Sequence, residues 1–82
     1  MTRDEIKTIL FEEITTIAPD VDPTAIGPNE DVRDALDLDS MDMLNVIAAL
    51  HERLGVDIPE ADAPEFFTLE GGVEYLTKRL TR

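Results

Sequence analysis

The stretch "LDLDSMDMLNVIAALHERLG", residues 36–55, decides how the chain is read. It passes from an aspartate-rich lead-in to an apolar segment that stops at Gly55, a residue suited to the left-handed conformation that ends helices. The pattern predicts a helix from about Ser40 to Leu54. Ser40 is the only serine in the chain, and it falls at the start of that helix.

Each residue advances about 100° around such a helix. Met43, Val46, Ile47, Leu50 and Leu54 then share one side, the one expected to enter a core. Met41, Leu44 and Ala48 fall on a different side, next to Asn45 and Glu52, where a bundle helix is normally polar. This second strip has two readings. It is either a docking surface, for which flexible methionine is well suited, or a patch covered by the loop that precedes the helix.

Toward the N-terminus, "TRDE" places Thr2 and Glu5 at capping-box spacing. Ile6, Ile9, Leu10, Ile14 and Ile17 follow on one stripe, so a first helix is expected from about Arg3 to Ile17. Pro19, Pro23, Gly27 and Pro28 then break any regular element. Residues 18–38 read as a long ordered loop pinned by Val21, Ile26, Val32, Leu36 and Leu38, with a helical turn near 23–26. Toward the C-terminus "VDIP" is an extended connection, and "DAPEFF" reads as a short helix with Asp62 and Glu65 as a capping pair. Thr68 is placed to cap a last helix from Leu69 to about Leu80, with Val73, Leu76 and Leu80 inward. Gly71 and Gly72 cost that helix roughly 1 kcal/mol each relative to alanine; either they permit close contact or that end frays. The expected architecture is all-α. It is a small four-helix bundle of three main helices and one short one, with a long loop between helices 1 and 2, forming a single domain over 1–82.

Composition narrows the function. Eighty-two residues make a core too thin to enclose a large catalytic cleft as well. No cysteine is present and His51 is the lone histidine, which argues against a disulfide framework and a metal centre. A net charge of −12 repels nucleic acid and anionic lipid, so a macromolecular partner is expected to present a basic face. No apolar run approaches the roughly 20 residues needed to span a bilayer, and the N-terminus does not read as a signal peptide. The expectation is a cytoplasmic monomer.

A serine at a helix start ordinarily caps it. Catalysis by Ser40 has little support, because His51 lies three turns along the same helix and no "GxSxG" elbow is present. A calcium loop starting at Asp37 fails, since its sixth position is Asp42 and its twelfth is Ala48. A phosphoester on Ser40, by contrast, would sit at the positive end of the helix dipole. Asp37, Asp39 and Asp42 are placed to attract a basic modifying enzyme or client.

"DLDSMD" followed by "LNVIAALHERLGVDIPE" resembles the acyl carrier protein signature, in which an Asp-Ser-Leu triplet opens the second helix and an Ile-Pro pair follows it. Helix, long loop, helix, short helix and final helix are similar to the carrier fold in order over nearly the whole chain. The resemblance implies that Ser40 carries a phosphopantetheine arm, transferred from coenzyme A by a phosphopantetheinyl transferase. Its thiol would hold acyl intermediates of fatty acid, lipid or polyketide-type biosynthesis as thioesters. The chain would be a carrier with no catalytic residue of its own. The resemblance further places partner contacts on Asp39, Met41, Leu44, Asn45, Ala48 and Glu52, facing basic surfaces of acyl ligases or synthases. Ile58 and Phe66 become candidates for an acyl pocket, with simple core packing the alternative for Phe66.

Two sets of departures bear on this. Met41 replaces the usual leucine, a near-isosteric change. Asn45, His51 and Arg53 stand where bacterial fatty acid carriers often have glutamate, so fewer carboxylates are expected on the outer face. His51 is otherwise expected to be a plain surface residue. These changes suggest a specialised carrier. The competing readings are an unmodified acidic helical module that docks a basic partner, and a peptidyl or D-alanyl carrier.

Overall fold

The computed structural model describes residues 2–80. Helix α1 (Arg3–Ile17) starts on a complete capping box: the Glu5 N–H donates to Thr2 Oγ1 at 3.1 Å and the Thr2 N–H to Glu5 Oε1 at 2.9 Å. The loop that follows holds a 3-10 turn, Pro23–Ala25, capped by Asp22, where the sequence predicts a turn. Next comes a one-turn helix, α2 (Val32–Ala35), which the sequence pattern did not predict. Helix α3 (Ser40–Leu54) ends at Gly55 with φ of 66°, the left-handed conformation expected there. Helix α4 (Leu69–Leu80) opens at Thr68, whose hydroxyl accepts the Gly71 N–H at 3.0 Å.

The segment between α3 and α4 corrects one expectation. Residues Glu60–Phe67 form a 3-10 helix with no side-chain cap, so Asp62 and Glu65 are not a capping pair. Asp62 instead accepts the Tyr75 hydroxyl at 2.7 Å and lies 3.4 Å from Arg79. A partner thirteen residues away outcompetes the local one. The cause is the approach of α4, on which both Tyr75 and Arg79 lie.

Helix α1 packs against both α3 and α4. Their facing stripes meet in one core: Ile6, Leu10 and Ile14 from α1; Met43, Val46, Ile47 and Leu50 from α3; Leu69, Val73 and Leu76 from α4. Ile6, Leu50 and Leu76 are wholly enclosed, and truncating such a residue to alanine costs about 2–5 kcal/mol. Val32, Leu36 and Leu38 are buried in the same core, with Val21 and Ile26 packed at its margin, so the long loop is pinned as expected. A backbone bond from the Glu70 N–H to the Pro28 carbonyl, 2.9 Å, stitches the loop to the start of α4.

The two glycines of α4 are there for contact. A methyl group at Gly71 would overlap the Glu65 carbonyl oxygen, and one at Gly72 would sit 3.1 Å from the Phe66 ring. On the surface, Arg53 reaches Glu12 at 2.7 Å and Glu13 at 3.2 Å, joining α3 to α1. Arg3 joins α1 to Glu70 and Glu74 of α4. These exposed pairs are worth about 1 kcal/mol or less each.

Candidate functional site

The approach to Ser40 is built by α2. Its last turn closes with the Leu38 N–H donating to the Arg33 carbonyl at 2.9 Å, while Asp37 takes φ of 56°. This is a Schellman-type ending with aspartate in the place usually held by glycine. Aspartate tolerates the left-handed region better than most residues. The Arg33 guanidinium carbon also lies over Phe67, 3.6 Å from the ring centroid, and Arg33 pairs with Asp31 at 2.8 Å. The Arg33 side-chain bond holds the Asp31 carboxyl below its ordinary value. The lead-in is thus fixed at both its backbone and its side chains.

Asp39 then caps α3. Its Oδ1 accepts the Asp42 N–H at 2.8 Å, and its own N–H points to Asp42 Oδ2 at 3.4 Å. With the cap supplied by Asp39, Ser40 occupies the first helical position rather than the cap. Its side chain is exposed and its hydroxyl has no hydrogen-bond partner among the described residues. The capping that a serine at a helix start ordinarily performs is performed here by the preceding aspartate.

Beyond Ser40 the two sides of α3 separate cleanly. Among the described residues Met41 and Leu44 are the two exposed large hydrophobic ones, at 65% and 42% accessibility, and Ala48 is exposed beside them. The loop does not cover this strip. Asn45 and Glu52 are exposed as well, as is Asp39. Arg53 turns toward α1, where it pairs with Glu12 and Glu13.

A groove of about 560 Å³ runs beside the strip, with Leu44, Ile47, Ala48 and His51 on its α3 wall and Ile58 and Ala63 opposite. Ile58 is half-buried where the connection turns back toward α3. Phe66 is at 3% accessibility in the core, with its ring 5.2 Å from Tyr75 in an edge-on contact, and it does not line the groove. Burial lifts the Tyr75 phenol above its ordinary value, and its bond to Asp62 adds to the shift. His51 is exposed but bonded, with Nδ1 2.7 Å from the Val56 carbonyl. Sequence reasoning did not connect His51, Asp57 and Glu60 to the groove; only the return of the chain after Gly55 brings them there.

The family model for the phosphopantetheine attachment site matches residues 6–76. The chain belongs to the acyl carrier protein family. It is 33% identical to the acyl carrier protein of Rubrobacter xylanophilus over 81 residues, covering 99% of each chain. It is 32% identical to that of Acidothermus cellulolyticus over 76 residues, covering 93% of this chain and 89% of the relative. The solved acyl carrier protein of Enterococcus faecalis superposes with a TM-score of 0.73 at 23% identity, over 96% of this chain and 99% of that one, a likeness of fold. The prosthetic group of a phosphopantetheine attachment domain is covalently bound phosphopantetheine. No described helix is long and apolar enough to cross a membrane.

Proposed function

We propose that Ser40 is the attachment point for phosphopantetheine, and that residues 1–82 act as one carrier unit in the cytoplasm, as a monomer. The observation that carries the reading is a hydroxyl left without a bond at the start of α3 because Asp39 already caps the helix. That position fits the group. It is exposed, and it stands at the positive end of a fifteen-residue helix, which favours a phosphoester there. When attached, the arm supplies a thiol that holds acyl groups as thioesters.

The remaining roles follow from where the side chains lie. Met41, Leu44 and Ala48 form the apolar part of a docking face, with Asp39, Asn45 and Glu52 around it. A phosphopantetheinyl transferase and acyl ligases or synthases with basic faces are the partners such a surface suits. Chemistry on the cargo then belongs to those enzymes, and the chain itself is no catalyst. Ile58 faces the groove that receives the cargo, whereas Phe66 packs in the core.

The test is intact mass after incubation with coenzyme A and a broad-specificity phosphopantetheinyl transferase, with Ser40→Ala in parallel. Gain of one arm by the parent alone supports the reading. Equal gain by the variant places the attachment elsewhere, and no gain by either favours the unmodified docking module.

A further inference from the structure

We infer that the cargo tail best accommodated beside α3 ends in a hydrogen-bond donor, an amine or a hydroxyl, rather than in a bare methyl group or a carboxylate. This rests on the assignment of Ser40 as the attachment point.

The groove is well placed for a tail carried on Ser40. At 1.5 Å of rise per residue, Leu44 lies about 6 Å and His51 about 16 Å along α3 from Ser40. Ser40, Leu44, Ala48 and His51 also fall within about a quarter turn of one another around the helix. The volume, about 560 Å³, lies within the range of small-ligand sites. Its walls are mostly aliphatic, which suits a methylene stem.

Its polar side chains are mostly acceptors. Beyond the apolar residues the groove is lined by His51, Asp57 and Glu60, and by no lysine, arginine, serine, threonine, asparagine or glutamine. Two of the three are carboxylates, which accept and do not donate when ionised. The third has its Nδ1 against the Val56 carbonyl at 2.7 Å. A carbonyl only accepts, so Nδ1 carries the hydrogen and that donor is already used.

An apolar stem lined by acceptors discriminates among tails by their ends. A methyl-ended tail gains from the walls and gives the carboxylates nothing. A carboxylate-ended tail meets like charge from Asp57 and Glu60, on a chain already at −12. An ammonium or hydroxyl end can donate to them. The wall and polar residues therefore act together as a specificity filter on the cargo.

The experiment uses the full chain, first loaded with the arm and checked by intact mass. It is then charged with an octanoyl tail, the same tail ending in an ω-amino group, or the same tail ending in an ω-carboxylate. Thermal melting of the three is compared, in the parent and in the Asp57→Asn/Glu60→Gln double variant. Both positions are exposed, so the variant is expected to fold. In the parent the amino tail should melt about 3 °C above the methyl tail, and the carboxylate tail should melt below it. In the double variant that order should collapse while the methyl-tailed form is unchanged. Equal melting of amino and methyl tails in the parent, or a carboxylate tail that stabilises as well as the amino one, overturns the inference while leaving Ser40 as the attachment point. Failure to load any arm at Ser40 overturns both.

Discussion

Helices α1 and α3 both begin on a complete capping box, yet they use their hydroxyl residues in opposite ways. In α1 the hydroxyl of Thr2 is itself the cap, accepting the Glu5 N–H. In α3 a carboxylate takes that place, and the hydroxyl residue is moved one position inward, where the helix makes no demand on it. Helix α4 follows the first pattern, with Thr68 as its cap. A helix start can thus be stabilised without leaving anything for chemistry, or it can keep a hydroxyl spare by assigning the cap to a neighbour. Only α3 does the second.

The contrast can be attacked from several sides. The largest expected effect is functional. Ser40→Ala should abolish gain of the phosphopantetheine arm while shifting the unfolding free energy by less than about 0.5 kcal/mol, because no hydrogen bond is lost; a large loss of stability in urea would mean that the hydroxyl holds the helix after all. Gly71→Ala, at the start of α4, should destabilise by about 1–3 kcal/mol through overlap with the Glu65 carbonyl. Alanine normally stabilises a helix relative to glycine, so the sign of the change measured by denaturant melting is decisive. Asp39→Ala should cost about 1 kcal/mol through loss of the α3 cap, whereas Asp39→Asn should keep most of it.

The smallest effect is one of pH. The backbone hydrogen bond from Thr2, with the Thr2 side chain next, holds the Glu5 carboxyl below its ordinary value. The unfolded chain therefore binds this proton more readily than the folded one. The contribution of Glu5 is present above about pH 4.5 and lost as the pH falls through the lower folded value. Comparison of Glu5→Gln with the parent across that window should show a difference at neutral pH that closes in acid; a constant difference would mean that the charge of Glu5 plays no part.

Much of this was legible in the sequence because it is local. The Thr2–Glu5 box, the stop at Gly55, the Thr68 cap and the division of α3 into a buried side and a strip at Met41, Leu44 and Ala48 all follow from spacings of three or four residues. The pinning of the loop by Val32, Leu36 and Leu38 was legible for a related reason: aliphatic side chains in a polar segment need a place to go. Helix α2 was not visible, since four residues are too few to establish a period, and its ending uses Asp37 where a glycine would have announced it. Asp62 was misassigned because Tyr75 competes for it from another element. Within the candidate site, Ser40 and the strip could be read directly, while the acceptor-lined groove depends on the chain turning back after Gly55, which no spacing encodes.

Ser40 and the exposed strip stand on the same fifteen-residue helix, with no hinge between them, so the address a partner would read and the point where a payload would hang share one rigid frame. A graft of residues 36–54 into another helical bundle should therefore carry both together with their relative bearing intact. An extra residue inserted between Ser40 and Leu44 should keep the payload but turn it about 100° away from the address.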